Sequence, residues 1–328
     1  MNLNKLRVFS LARVNTLVPS IRDTVRSDIP VVVVLQPRNN FEVGVGPLIN
    51  NQESRFNIGI ASNLTWLNIF GAAQIFSASV QYQGNPSLRS NFFWMQLESY
   101  QATFGLKFEQ PYFLDNATSA SAAINYVSAR EKDRYNADVL QLLFSFRRQF
   151  AMRLGGALEV AFEQSEFTQI DTTLPGDIYQ KFGSTSAINY FNDIVTATLD
   201  YDLTDDFFNP TAGSHHKFIL EEAGRISTGP LRSIKSSFEK AQYHKIEALS
   251  LWYGDVSNVS TAILGFKLRV GGIFRYGKTK DDDVPVPFTR SYYAGGSNSV
   301  RGWSSKQLAV DSTKIDFGSN ALMESSLE

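Results

Sequence analysis

The chain has 328 residues with 31 Lys+Arg against 32 Asp+Glu, so no net basic charge argues for nucleic-acid binding. No apolar run approaches the ~18 residues of a membrane-spanning helix. That excludes a helical membrane protein but not a barrel, whose strands expose only alternate residues to lipid. The absence of cysteine excludes disulfide and thiolate chemistry. The aromatic content of 13%, with 25 Phe and 13 Tyr, suits strands and the interfacial girdles of a barrel.

From the N-terminus, Met1 is followed by Asn, Lys and Arg but by no apolar stretch of ~7–15 residues, so no export signal is visible. Residues 2–10 read as the end of a helix or a turn. Ala12 to Val18 and Ile29 to Gln36 read as two strands, and the continuous run Val31 to Leu35 implies burial on both faces. Pro37 breaks the chain, so residues 1–37 read as the tail of a small α/β module and 38–328 as a separate all-β unit.

Two-residue periodicity dominates that unit. Tyr100, Ala102, Phe104, Leu106 and Phe108 fall on one face, with Gln101, Thr103, Gly105, Lys107 and Glu109 on the other. The pattern recurs at Phe76 to Tyr82, Leu154 to Phe162 and Leu264 to Val270. It places twelve strands near 40–47, 55–63, 72–83, 97–109, 117–128, 137–148, 151–164, 187–202, 214–224, 238–253, 260–276 and 315–328. Turn-like connections are expected at Asn68 to Gly71, Pro111 to Asn116, Arg147 to Phe150, Asp205 to Gly213 and Asp255 to Asn258. Longer ones are expected at Gly84 to Asn91, Glu166 to Ser184, Arg225 to Ser237 and Gly277 to Thr313. Short turns at one end and long loops at the other suit an antiparallel transmembrane β-barrel. Glu159, Glu163, Lys267 and Arg269 on the polar faces would be costly in a sandwich core and comfortable in a water-filled lumen. A soluble sandwich pointing them at solvent satisfies the same pattern, so periodicity leaves both architectures open. The strand-like pattern still runs at Leu327 and Glu328, and the chain reads as a fragment open at both ends.

Three segments carry a resemblance. The first is the loop Phe288-Thr289-Arg290-Ser291-Tyr292-Tyr293-Ala294-Gly295-Gly296-Ser297-Asn298-Ser299-Val300-Arg301-Gly302-Trp303. The second is Asp205-Asp206-Phe207-Phe208-Asn209-Pro210-Thr211-Ala212-Gly213, and the third is Asn68-Ile69-Phe70-Gly71. The set resembles the BamA/TamA superfamily of outer-membrane assembly factors, also called the bacterial surface antigen family. Its loop motif is Gly-Gly followed by Val-Arg-Gly and an aromatic. Here Gly295, Gly296, Val300, Arg301 and Gly302 match, and Trp303 replaces the commoner Phe or Tyr.

The resemblance implies a barrel of roughly sixteen strands, of which about twelve are present, preceded by the last part of a POTRA domain over 1–37. It implies that loop 277–313, between the eleventh and twelfth strands, folds into the lumen. There Arg301 would meet an acidic residue of the inner wall, with Glu324 the nearest candidate in the chain, and Trp303 and Tyr293 would pack against the wall. Asp205, Asp206, Phe208, Pro210, Thr211 and Gly213 match a periplasmic turn. Phe41, Val43, Gly44, Val45 and Gly46 would form the first-strand edge of a soft seam, with the glycines and Pro47 weakening pairing.

No GxSxG, P-loop or similar catalytic motif appears, and His215, His216 and His244 without cysteine make no convincing zinc set. Asp205 and Asp206 read as turn caps rather than a catalytic pair, and Asp281 to Asp283 as solvated loop. The expectation is therefore a non-enzymatic protein without cofactor, and the resemblance implies a place in the outer membrane of a Gram-negative bacterium. Its partners would be the outer-membrane lipid bilayer, unfolded outer-membrane or secreted client proteins, and periplasmic or lipoprotein partners reached through POTRA domains. A two-partner secretion-type transporter for one dedicated protein, and a passive porin or structural barrel, are the alternatives.

Overall fold

The computed structural model describes residues 9–16, 31–52, 55–86, 97–131, 135–168, 187–256, 262–281, 284, 286–296, 299–303, 308 and 318–328. Strands β1 (Phe9–Thr16) and β2 (Val31–Pro37) form an antiparallel pair of their own. The expected pair of strands is present, shifted along the chain at β1. Val32 to Leu35 are exposed on both faces, however, not buried. Residues 1–8 and 17–30, which adjoin this pair in the chain, lie outside the described residues. Most of residues 2–10 lie outside the described residues.

The remaining strands form one twelve-stranded antiparallel sheet in chain order. They are β3 (Phe41–Gln52), β4 (Arg55–Leu67), β5 (Ile75–Pro86), β6 (Leu97–Gln110), β7 (Thr118–Glu131) and β8 (Tyr135–Ala151), then β9 (Leu154–Thr168), β10 (Ala187–Asp202), β11 (Gly213–Ala223), β12 (Tyr243–Asp255), β13 (Ile263–Arg275) and β14 (Ala321–Leu327). No helix among the described residues is long and apolar enough to cross a membrane.

Register shows why alternation predicted this sheet. Directly opposed residues share a face. Val43, Leu64, Ala78, Leu106, Ile124, Leu142 and Phe162 stand opposite one another from β3 to β9. One residue further along, Gly44, Asn63, Ser79, Gly105, Asn125, Gln141, Glu163 and Asn192 form a polar row to β10. The apolar row is exposed in a way only lipid rewards, with Val43, Ile124 and Leu142 bare on the outside. The polar row is bonded laterally: Asn125 Nδ2 donates to Gln141 Oε1 at 3.3 Å and Gln141 Nε2 to Glu163 Oε2 at 3.1 Å. An apolar exterior and a cross-linked polar interior make this a transmembrane barrel wall.

Two connections differ from expectation. Arg147 to Phe150 continue β8, and the chain reverses at Met152 and Arg153. Both arginines have partners on neighbouring elements: Arg147 pairs with Glu159 across the ladder and Arg148 with Asp115 at 2.7 Å. Residues 238–242 do not begin β12. They run beside β10, where the Glu239 N–H donates to Asn189 O at 2.7 Å and Asn192 Oδ1 accepts the Ala241 N–H at 2.9 Å. The turn Asn68 to Gly71 follows β4 directly, and Asn68 Oδ1 accepts the Ala73 N–H at 2.9 Å.

A buried apolar cluster including Tyr190, Ile194, Tyr243, Ile273, Tyr292 and Leu322 lies where the segment after β13 returns against the inner faces of β10 to β14. The densest packing inside the barrel is therefore between wall and loop.

Candidate functional site

The segment after β13 is held inside the wall by Arg290. This residue ends a short 3-10 turn, Phe288–Arg290. Its guanidinium hydrogen-bonds Glu163 of β9 and lies 3.9 Å from Glu221 of β11. The Arg290 side chain is 25% exposed and that of Glu163 is 8% exposed. Neighbours satisfy the rest of the cluster: Tyr243 OH donates to Glu221 Oε1 at 2.9 Å, and Lys245 Nζ donates to the Arg290 carbonyl at 2.9 Å. A planar, permanently charged fork between two carboxylates fixes both position and orientation of the segment it belongs to.

Tyr292 makes the second contact. Its OH donates to Ile246 O at 3.2 Å, and Lys245 Nζ lies 4.3 Å from its ring centroid. Its backbone exchanges two hydrogen bonds with Ser319, of 2.9 and 2.8 Å. The wall leaves room for the ring at Gly271 of β13, where an added Cβ would stand 2.4 Å from Tyr292 OH. Trp303, expected to pack on the wall, is half exposed, and Tyr292 takes that place.

The motif itself sits lower on the wall, against β13 and β14. Ser299, Val300 and Arg301 line a cleft with Glu324 and Glu328. Gly295, Gly296 and Gly302 all have positive φ (105°, 105° and 89°), the left-handed region that glycine enters freely. Ser297 and Asn298 lie outside the described residues. Arg301 pairs with Glu328 at 2.7 Å and its side chain is 73% exposed. Glu324 does not receive it. That carboxylate accepts the Ser299 hydroxyl and lies 3.8 Å from Arg269, which in turn bonds Glu247 at 2.8 Å. The motif thus reaches Glu324 through Ser299, and among the described residues its arginine pairs with Glu328.

The Asp205 to Gly213 turn is built on carboxylates. Asp205 accepts the N–H groups of Asp206, Thr211 and Ala212 and the Thr211 hydroxyl, and Asp206 accepts those of Phe208 and Asn209. The Thr211 hydroxyl, then the Ala212 and Thr211 N–H groups, hold the Asp205 carboxyl well below the ordinary carboxylate range. Its contribution is therefore present above the unfolded-chain value of ~3.9 and is lost only as pH falls through the lower folded value. Phe207 and Phe208 project from this turn, while Pro210 and Thr211 lead the chain back to β11 at Gly213.

The third feature is the edge at β3. Among the described residues β3 and β14 close the two ends of the sheet and do not pair with each other. Asn40 O accepts the Leu67 N–H at 2.6 Å, which makes 40 and 67 a hydrogen-bonded pair. Bonded and non-bonded pairs alternate along an antiparallel ladder. Hence Glu42, Gly44 and Gly46 bond to β4, while the backbones of Phe41, Val43, Val45 and Pro47 face the open edge. Gly44 and Gly46 do not interrupt β3–β4 pairing, which runs unbroken from Phe41 to Gln52. Gly44 gives space to Asn63, whose Oδ1 would lie 2.4 Å from an added Cβ. Pro47 removes a donor from the outer edge alone. Any softness belongs to that edge.

Arg290, Glu163, Glu221, Tyr243, Lys245 and Gly271 were absent from the sequence-derived site. Two inward mid-strand carboxylates, Glu163 and Glu221, are the sequence signal for a cation in the lumen.

A family model described as the Omp85 superfamily domain matches residues 68–328. The outer membrane protein assembly factor BamA of Neisseria meningitidis serogroup B is 32% identical over 98 residues, covering 28% of this chain and 12% of that protein. BamA from Haemophilus ducreyi lacking POTRA domains 1-3 matches in structure with a TM-score of 0.70 at 14% identity, over 99% of this chain and 59% of that one. CdiB from Escherichia coli matches with a TM-score of 0.53 at 12% identity, over 92% and 51%. CdiB from Acinetobacter baumannii matches with a TM-score of 0.50 at 10% identity, over 92% and 50%. At these identities the structural likeness shows the fold alone, and the chain spans 59% or less of each relative. The family match over most of the chain, on a transmembrane antiparallel wall with its loop turned inward, shows that this protein belongs to the Omp85 superfamily of Gram-negative outer-membrane β-barrels, which insert or transport proteins.

Proposed function

We propose that this chain is the barrel of a non-enzymatic assembly factor that inserts unfolded client proteins into the outer membrane. What supports the reading is the side of β3 away from β4, to which Phe41, Val43 and Val45 turn their backbone groups beside apolar side chains. A first strand at lipid depth that parts from its closing partner would template an incoming strand by β-augmentation, since backbone groups there have no water to satisfy them. The inward loop, held by Arg290 and carrying Gly295, Gly296, Val300, Arg301, Gly302 and Trp303, would keep the lumen filled while the edge is engaged. Glu324 would steady that loop through Ser299. The turn of Asp205, Asp206, Phe208, Pro210, Thr211 and Gly213 would set the spacing of β10 and β11 at the opposite end. Residues 1–37 would be the last part of a POTRA-like module, through which periplasmic or lipoprotein partners are reached.

A two-partner secretion-type exporter of one dedicated protein is the second reading, favoured by the continuous polar row along the inner wall. A passive porin leaves the docked loop without a role. Depleting the protein in its own cell separates these readings. The proposal expects many outer-membrane β-barrels to fall together in a quantitative membrane proteome. Loss of one secreted product with the barrels unchanged would favour the exporter, and loss of neither would remove both.

A further inference from the structure

Antiparallel order puts the connections 68–74, 111–117, 152–153, 203–212 and 256–262 at one end of the barrel, opposite the inward loop. Each presents a large apolar side chain to the surroundings. Phe70, Phe207 and Val256 are well exposed, and Leu114, Met152 and Phe208 are 91%, 93% and 92% exposed. A lone exposed apolar residue means little. Five turns in succession, each tipped in this way, form a ring.

Two of these turns hold their tips out by construction. Phe207 and Phe208 stand on the Asp205–Asp206 scaffold with their rings edge to face, 5.2 Å apart. Leu114 stands on a similar scaffold, in which Asp115 Oδ1 accepts the N–H groups of Ala117 and Thr118 at 3.0 and 2.8 Å. Leu114 also has a φ of 69°, a region that costs free energy for a side chain of this kind. The Asp115 bonds hold this turn together, and among the described residues the Leu114 side chain is left pointing away from its neighbours.

We propose that the turn end is an interfacial anchor, with Leu114, Met152, Phe207 and Phe208 seated in the boundary between headgroups and acyl chains of the periplasmic leaflet. The ring continues the lipid-facing surface: the Phe113 ring lies 5.8 Å from Phe146 and the Phe70 ring 6.5 Å from Phe108. A protein partner would call for one patch on one side, whereas tips spaced round the rim match a surrounding sheet of lipid. Arg148, paired with Asp115 beside Leu114, supplies the charged fringe that such a boundary accommodates.

The chain has no cysteine. A nitroxide on Leu114→Cys, Met152→Cys or Phe208→Cys, one at a time in the full-length protein, is therefore unique within this region. In vesicles of phosphatidylethanolamine and phosphatidylglycerol, with no client or partner protein, collision rates with oxygen and with a water-soluble nickel chelate report the surroundings of each label. An Asp281→Cys label at the opposite end serves as the aqueous reference. The expected oxygen-to-nickel ratio at all three tips is at least tenfold above that at 281. Ratios equal to the reference overturn the proposal. So does nickel protection that arises only on adding an unfolded client or a soluble periplasmic domain, since the ring would then be a protein-docking surface.

Discussion

Replacing Arg290 with alanine is expected to free the inward loop and destabilise the barrel by about 3 kcal/mol. Removing one partner of a buried ion pair typically costs about 3–5 kcal/mol because the other charge is left uncompensated. The low end applies here because lumenal water can reach part of the site. Glu163 would keep the Gln141 amide, and Glu221 the Tyr243 hydroxyl and the charge of nearby Lys245. Arg290→Lys should recover part of the loss, since one ammonium cannot serve two carboxylates as a planar fork does. Arg301→Ala should cost less than about 1 kcal/mol, the range of an exposed pair. Thermal loss of the compact form on a semi-native gel ranks the three variants. Trypsin cleavage at Lys278, Lys280 or Arg301 of intact barrels reads loop release directly. Equal losses for Arg290→Ala and Arg301→Ala would mean that the two arginines share the anchor.

The register of β3 yields a second large effect, in two adjacent residues with opposite outcomes. Val45 turns its N–H to the open edge, whereas Gly46 gives its N–H to β4. Proline removes that donor in either case. Val45→Pro should leave the barrel folded and slow client assembly several-fold, as one templating hydrogen bond worth about 1 kcal/mol is lost. Gly46→Pro should destabilise the barrel by about 1–3 kcal/mol through an unsatisfied group in the β3–β4 ladder. An added Cβ at Gly46 meets nothing within 4 Å, so the effect there comes from the lost N–H and from the ring Cδ that replaces it against β4. Folding into vesicles, scored by gel mobility, separates from client insertion scored by protease protection. Identical behaviour of the two variants would show that β3 does not act through its open edge.

Most of the wall was legible because its chemistry is local. Each strand repeats lipid, lumen, lipid, lumen, so Val43 and Gly44 differ in role by a single step along the chain. The inward placement of Glu159, Glu163 and Arg269 followed from the same step. What escaped was long-range or set by context. Arg290 and Glu163 are 127 positions apart, and nothing near Arg290 marks it as different from Arg301. The family motif drew attention to Arg301, while the lumen took the arginine five residues before the paired glycines. The space at Gly271 has meaning only once Tyr292 is known to fill it. Arg147 to Phe150 continue β8 where a turn was expected, and the partners of Arg147 and Arg148 lie on neighbouring elements that local pattern does not reach.

The central claim is that clients enter the membrane along β3 and not through the lumen. Cysteines placed singly at Val45 on the open edge and at Glu159 on the inner wall test it. Each is to be cross-linked to cysteines walked along the last strand of a stalled client. Templating predicts disulfides from position 45 to alternate client residues in one fixed register, and none from position 159. Cross-links from position 159 with none from position 45 would contradict it and make the barrel a conduit.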